Sequence, residues 1–95
     1  MKAELLLDER HVLDARTFVE LIIWRLPRPL RVSDHSFKYR LALISDGICM
    51  LRYDNEAGKG DHRHVKNKEE PYRFADAETL LADFWRDVER METMK

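Results

Sequence analysis

Two histidines separated by one residue are the first sign of chemistry in this sequence. His62 and His64 lie in the segment 61–66, directly after Asp61. In an extended strand, residues i and i+2 project from the same face, so both imidazoles would face one substrate. Because imidazole titrates near neutral pH, such a pair can remove one proton and donate another during phosphodiester cleavage.

A second polar segment, residues 52–55, precedes the histidines by a short loop. The loop 55–60 is short enough for the two segments to lie side by side, and we expect Asp54 to act with His62 and His64. The basic residues would stabilise negative charge on phosphate, and the remaining polar residues would organise the site. The expected phosphate- or RNA-binding residues are Arg40, Arg52, Lys59 and Arg63, and the expected organising residues are Tyr53, Asn55 and Asp61.

The same residues admit two other interpretations. The histidines are suitable ligands for a divalent metal, with Asp54 or Asp61 as a further ligand, although two histidines without a fixed third ligand are a weak signal. They also fit a plain polar loop, with Arg52 and Asp54 as an ordinary surface ion pair. The residues alone leave these interpretations open. We expect no resident metal and no cofactor, and the glycines around Lys59 lack the spacing of a P-loop.

A fold must position these residues, and the rest of the sequence predicts an α+β fold: an antiparallel β meander of about five strands packed by one C-terminal amphipathic helix. Residues 3–7 predict a first strand, which residues 11–13 either continue or end in a bend. Residues 18–26 are rich in β-branched and aromatic side chains and predict a central strand, with Trp24 in the core. Two prolines then end this strand, since proline cannot donate to a ladder.

A β hairpin is the clearest structural signal in the chain. Two apolar runs flank Asp46-Gly47, a pair that favours a two-residue turn because both positions need positive φ. Counting outward from this turn gives the register and leaves a polar open end. The predicted pairs are Ser45 with Ile48, Ile44 with Cys49, Leu43 with Met50, Ala42 with Leu51, Leu41 with Arg52, Arg40 with Tyr53, and Tyr39 with Asp54.

The remainder of the chain predicts further short strands and the helix. Residues 61–66 are expected to be extended, and residues 71–74 to form a short edge strand. Asp76 is a suitable N-cap for a helix over 77–91, whose apolar residues recur at helical spacing and indicate a core-facing stripe. The other two histidines, His11 and His35, have no partner that the sequence identifies.

Length and composition indicate one domain, residues 1–95. Cys49 is the only cysteine, which excludes an intramolecular disulfide and a zinc site of several cysteines. No apolar run approaches the roughly 18 residues of a membrane span, so we expect a cytoplasmic protein without membrane association. The net charge is −1, but residues 21–73 carry an excess of four positive charges, which is compatible with an anionic partner such as RNA.

The run KYRLALISDGICMLRYDNEAGKGDHRHVKNKEEPYRF, residues 38–74, resembles the TumE-type family of toxin–antitoxin proteins. The resemblance extends over most of the chain, and the Tyr-Asp-Asn and His-x-His blocks are its most specific parts. It implies a bacterial or archaeal toxin encoded beside a cognate antitoxin, a small DNA-binding protein. The matching blocks are residues 1–7, Ile23-Trp24-Arg25, residues 52–56, residues 59–64, residues 69–72 and residues 81–84.

Family resemblance and site chemistry together predict a small metal-independent ribonuclease or translation inhibitor, with His62 and His64 as acid and base. The first alternative is a non-catalytic module whose basic face binds RNA or a protein. The second is a metal-dependent hydrolase that uses the His-x-His pair. Self-association stays open.

Overall fold

The computed structural model describes residues 2–29, 35–55 and 60–93. These residues form an antiparallel sheet and one C-terminal helix, which confirms the expected α+β class. The elements in chain order are β1 (Glu4–Asp14), β2 (Thr17–Arg25), β3 (Phe37–Ser45), β4 (Ile48–Asp54), β5 (His62–Val65), β6 (Lys68–Pro71) and α1 (Ala77–Thr93).

The sheet is a simple meander in which the spatial order of strands equals their order in the chain. It contains six strands, rather than the roughly five that the sequence predicts. The difference concerns its last edge. Lys66 adopts a φ of 54° in a turn after β5, so the chain returns at once as β6. The edge strand expected at 71–74 therefore lies three residues earlier, and Pro71, which cannot donate to a ladder, ends it.

The first strand is longer than predicted. Residues 3–7 and 11–13 belong to one strand of 11 residues, because β2 provides a hydrogen-bonding partner along its whole length. Two irregularities in the register, between Leu5 and Leu7 and between Val12 and Asp14, accommodate an extra residue each. Nearly all of β1 is exposed, with Leu7 alone partly buried.

The hairpin turn is confirmed, with φ of 52° at Asp46 and 76° at Gly47. The first two predicted pairs are also confirmed, but the register then shifts by one residue at a bulge that contains Met50. The five pairs counted beyond that point are therefore wrong. The bulge brings the large apolar side chains of both strands to the same face, where they are buried. The observed pairs are Leu43 with Leu51, Ala42 with Arg52, Leu41 with Tyr53, and Arg40 with Asp54.

Helix α1 packs on one face of the sheet, mainly against β3 and β4. The Asp76 carboxylate accepts the backbone N–H of Thr79 at 2.6 Å, which confirms the predicted N-cap, and the helix continues to Thr93 instead of ending at 91. We call this side the helix face. Its buried core consists of Val19, Leu21, Ile23, Tyr39, Leu41, Leu43, Leu51, Tyr53, Leu80, Phe84 and Val88.

The opposite side of the sheet, which no described element covers, we call the open face. Strand alternation assigns to it every second residue of the six strands. Its polar and aromatic members include Asp8, Arg10, Phe18, Glu20, Trp24, Lys38, Arg40, Arg52, Asp54, His62, His64 and Glu69. Helix α1, the one helix in the described part of the chain, is not apolar enough to cross a membrane.

Candidate active site

The two polar segments singled out in the sequence form neighbouring strands. β5 pairs with β4, so that His62 lies opposite Asp54 and His64 opposite Arg52. Both histidines project from the open face, as their i, i+2 spacing predicts. On the other side of β4, Arg40 lies opposite Asp54. We call these residues the open-face cluster: Arg40, Arg52, Asp54, His62 and His64.

His62 is held from both sides of its ring. Its Nδ1 lies 3.1 Å from the carbonyl oxygen of Gly60, and its Nε2 lies 2.6 Å from Oδ1 of Asp54. A carbonyl oxygen only accepts, so Nδ1 must carry a hydrogen. The lone pair of a neutral ring would then face the carboxylate. The other ring nitrogen, Nε2, faces the carboxylate of Asp54.

Asp54 also faces a guanidinium. Nε of Arg52 lies 2.8 Å from Oδ2 of Asp54, so each carboxylate oxygen has one nitrogen neighbour. Both contacts are within ion-pair distance, but neither has the angle of a hydrogen bond. Charge attraction, rather than directed hydrogen bonding, therefore holds this carboxylate. Arg40 contributes a further positive charge and has no ion-pair partner among the described residues.

His64 is the less constrained of the two histidines. About 30% of its side chain is exposed, against 8% for His62. Its Nδ1 lies 3.7 Å from Oε2 of Glu69, which is beyond hydrogen-bond distance. His64 is therefore the more accessible and less tightly held of the two histidines.

Buried side-chain polar atoms without a hydrogen-bond partner concentrate in this cluster. Within the described ranges, four buried side-chain polar atoms lack a hydrogen-bond partner, and three of them are Nε of Arg52, Oδ1 of Asp54 and Nδ1 of His64. Buried polar groups in native proteins are nearly always hydrogen-bonded, so each exception calls for a reason. Two of the three, on Arg52 and Asp54, are in the ion pairs described above, so charge attraction rather than hydrogen bonding satisfies them.

Arg63 and Tyr53 lie on the helix face, apart from the histidines. Nε of Arg63 lies 2.9 Å from Oδ2 of Asp87 on α1, and its guanidinium also pairs with Glu70. The hydroxyl of Tyr53 donates to the same oxygen of Asp87 at 2.5 Å. Burial and this hydrogen bond raise the pKa of Tyr53. These two residues join the helix to the sheet and do not reach the open-face cluster.

Asp61 also lies away from the cluster, in a network that the sequence did not reveal. Its Oδ2 accepts hydrogen bonds from Tyr39 Oη and His35 Nε2, both at 2.7 Å. The tautomer of His35 is fixed because the backbone N–H of Phe37 donates to its Nδ1 at 3.1 Å. Phe74 stacks on the same imidazole with ring centroids 3.8 Å apart. The structure thus supplies the partners of His35 that the sequence did not identify.

His11 also has partners that the sequence did not identify: its Nε2 lies 2.7 Å from a carboxylate oxygen of Glu9, and its ring meets Trp85 edge-on at 5.6 Å. Trp24, predicted to lie in the core, instead projects from the open face and does not belong to the buried cluster. The contacts of His11 and Trp24 depend on which face of the sheet the helix packs against. Local sequence does not specify that face.

Asn55 bonds to the backbone of β3: its Oδ1 accepts the N–H of Tyr39 at 3.1 Å and its Nδ2 donates to the carbonyl of Phe37 at 2.6 Å. Lys59 lies outside the described residues. Across residues 2–29, 35–55 and 60–93, no group of three or more histidine, cysteine, aspartate or glutamate side chains has an arrangement that fits a metal ion.

Comparison with known proteins identifies the family of the chain. No curated protein and no solved structure matches the chain. The family model described as toxin TumE matches residues 2–92, nearly the full length of 95 residues. The match covers every strand and nearly all of α1, including both polar segments of the open-face cluster. The chain therefore belongs to the TumE toxin family and is a toxin of the toxin–antitoxin kind.

Proposed function

We propose that this toxin is a small ribonuclease that cleaves RNA without a metal ion, and that the open-face cluster is its active site. The observation that carries the proposal is the juxtaposition of His62, His64 and Arg52 on adjacent strands of one face, where the side chain of His64 is about 30% exposed. A phosphodiester has the negative charge and acceptor oxygens that a guanidinium and an imidazole would bind.

In the proposed mechanism, His64 acts as the base. It removes the proton from a ribose 2′-hydroxyl, whose oxygen then attacks the neighbouring phosphorus. His62, which lies beside Asp54, acts as the acid and donates a proton to the departing 5′-oxygen as the P–O bond breaks. The products are a 2′,3′-cyclic phosphate and a free 5′-hydroxyl. Side chains at i and i+2 of a strand are about 7 Å apart, which leaves room for a phosphate between the rings.

Arg52 and Arg40 would stabilise the charge that develops on the phosphate oxygens. Arg52 already contacts Asp54, so a phosphate would compete with that carboxylate for its N–H groups. Arg40, which has no ion-pair partner among the described residues, is the stronger candidate for binding phosphate without rearrangement. Such positioned cations typically contribute several kcal/mol to transition-state stabilisation, of the order of 3 kcal/mol each.

Membership of a toxin family implies a cognate antitoxin. We propose that this antitoxin is a small DNA-binding protein and that it neutralises the toxin by covering the open face. Toxin and antitoxin purified together should then be inactive on RNA, and the histidines of the cluster should become protected from diethylpyrocarbonate modification.

The decisive experiment measures cleavage of a labelled RNA by the purified toxin, with growth arrest after induction as the cellular readout. Wild type should produce ends with a 2′,3′-cyclic phosphate. His64→Ala and His62→Ala should each lower the cleavage rate by roughly 10²–10⁴-fold. The matched control is His11→Ala, which removes a histidine on the helix face that pairs with Glu9.

Three outcomes would contradict the proposal. Cleavage by His62→Ala/His64→Ala at the wild-type rate would exclude the open-face cluster as the active site. Loss of cleavage in EDTA, restored by a divalent ion, would replace it with a metal-dependent hydrolase. RNA binding without turnover, weakened steeply by salt, would indicate a non-catalytic binding module.

A further inference from the structure

Trp24 is a large aromatic side chain on the open face, and in the described ranges it stacks on no other ring. It is only partly buried, and it lies outside the core cluster. Phe18, on the same strand and the same face, differs in this respect because the guanidinium of Arg10 covers its ring at 4.0 Å. Of the two aromatic rings of β2, that of Trp24 is therefore the one that no described ring or guanidinium covers.

A strip of positive charge lies beside Trp24 on the neighbouring strands β3 and β4. Arg40 and Lys38 on β3 and Arg52 on β4 carry the positive charges of the central strands, and the cross-strand neighbour of Trp24 is Lys38. The acidic side chains of this face lie mostly on the flanking strands, and Asp54, the central exception, faces Arg52 and His62. The flanking carboxylates are Asp8, Glu20 and Glu69.

The strip is narrow. Strands β3 to β5 span about 10 Å at ordinary strand spacing. A nucleic-acid duplex is wider than this, so its second row of phosphates would meet the flanking carboxylates. A single strand can lay one row of phosphates along the cations, and its unpaired bases can stack on an aromatic side chain. The charge pattern thus favours one strand over two.

We propose that Trp24 and Lys38 form a base-stacking subsite that makes the toxin act on single-stranded RNA; the proposal rests on the function proposed above, since it names the substrate class of the same face. Across the sheet, Trp24 on β2 is three strand spacings from His62 on β5, and along the strand direction it is two residues away. That separation is about 16 Å, so the stacked base belongs to a nucleotide a short distance from the cleaved phosphate.

The test is binding of a 2′-O-methyl RNA 12-mer, which has no 2′-hydroxyl and cannot be cleaved by the proposed mechanism. In Trp85→Phe, Trp24 is the only tryptophan, and its fluorescence should be quenched when the single strand binds. Trp24→Ala should weaken binding roughly 5- to 100-fold, as expected for one lost stacked base. Trp24→Leu, which keeps an apolar side chain on the strand, should weaken it similarly and guards against misfolding of the alanine variant. Phe18→Leu should bind as the wild type does.

The results separate this inference from the proposed function. RNA cleavage that depends on the histidines, together with unchanged binding in both Trp24 variants, would overturn the subsite and leave the ribonuclease standing. Tight binding through Trp24 in a protein that cleaves no RNA would support the subsite and refute the catalytic proposal. A duplex formed from the same 12-mer and its complement should bind more weakly, and binding as tight as that of the single strand would overturn the subsite. Quenching of Trp24 fluorescence by a protein partner and not by RNA would also overturn it.

Discussion

At the scale of single residues, the side chain of Asn55 provides hydrogen bonds to backbone groups of β3 that β4 does not pair with. It follows the end of β4, is almost completely buried, and bonds to both the N–H of Tyr39 and the carbonyl of Phe37. These backbone groups lie at the beginning of β3, beyond the last backbone pair with β4. A buried backbone group without a partner costs about 1–3 kcal/mol, so one amide side chain stabilises this end of the sheet.

Asn55→Ala should therefore lower the free energy of unfolding by about 2–3 kcal/mol, since it leaves two backbone groups without partners. Urea unfolding followed by circular dichroism measures the change. Asn67→Ala, at the exposed turn between β5 and β6, is the matched control and should stay within about 0.5 kcal/mol of wild type. If the two variants unfold alike, the side chain of Asn55 contributes little to holding β3.

The sequence predicted that His62 and His64 share one face of a strand, but it did not predict what the residues beside them contact. Two residues apart in a strand means the same face, whatever the fold. By the same rule Arg63 must face the other way, and there it meets Asp87, a residue 24 positions later that only the position of the helix brings near. The role of Asp61 also depended on a distant partner, His35, across 26 positions. Spacing predicts the face, and tertiary packing decides the contacts.

At the scale of elements, α1 is joined to the sheet by a polar contact as well as by its apolar stripe. Asp87 is buried, accepts a hydrogen bond from Tyr53 and lies beside the guanidinium of Arg63. This contact fixes the rotation of the helix about its axis, because apolar packing alone tolerates small rotations that a buried carboxylate does not.

Asp87→Ala should lower the free energy of unfolding by about 2 kcal/mol, since it removes the acceptor of Tyr53 and leaves Arg63 with Glu70 as its remaining partner. Tyr53→Phe removes only the hydroxyl and should cost about 1 kcal/mol. Equilibrium unfolding of both variants tests the order of the two effects. Arg90→Ala, an exposed residue on the same helix, should be nearly neutral. A larger effect for Tyr53→Phe than for Asp87→Ala would contradict the assigned role of the carboxylate.

The N-cap of α1 should make helix stability depend on acid. The backbone N–H of Thr79 holds the pKa of Asp76 below its usual range. The ionised cap therefore contributes its stability fully above the unfolded value of about 3.9, and that contribution disappears as pH falls through the lower folded value. Asparagine caps a helix without titrating. The stability difference between wild type and Asp76→Asn should thus shrink in acid, and a difference that stays constant from pH 7 to pH 2.5 would contradict this.

The elements were predictable to different degrees for physical reasons. The hairpin turn and the helix start depend on local chemistry, positive φ at Asp46-Gly47 and the capping carboxylate of Asp76, and both were found. The bulge at Met50 was not, because it satisfies the burial of Leu51 and Tyr53 against a helix that lies far along the chain. The boundaries of β1 and β6 depended in the same way on their neighbours in the sheet.

At the scale of the whole molecule, every tyrosine of the chain stabilises the fold in its neutral form. Tyr39, Tyr53 and Tyr72 are the three tyrosines, and burial followed by a hydrogen bond to a carboxylate raises the pKa of each. Their acceptors are Asp61, Asp87 and Asp83 in turn. Two of these acceptors lie on α1, so the phenols connect the sheet, the segment before the helix and the helix itself.

Alkaline titration should therefore reveal no tyrosine that ionises near its ordinary value of about 10 while the protein is folded. A group with a raised folded pKa contributes stability that is present below the unfolded pKa and is lost as pH rises through the folded one. Absorbance at a tyrosinate wavelength should rise together with the loss of circular dichroism, and a separate earlier step of one tyrosine would contradict the buried networks. In urea, all three should titrate normally.

The meander order has a consequence for how the chain folds. Each strand pairs only with the strand before and after it, so the contacts that build the sheet join segments close in sequence. Low contact order shortens the loops that must close before a contact forms, and such proteins fold quickly for β-rich chains. During synthesis each hairpin can close as its second strand leaves the ribosome, whereas the polar contacts to α1 must wait for the last residues. The sheet can thus assemble strand by strand, and the helix completes it.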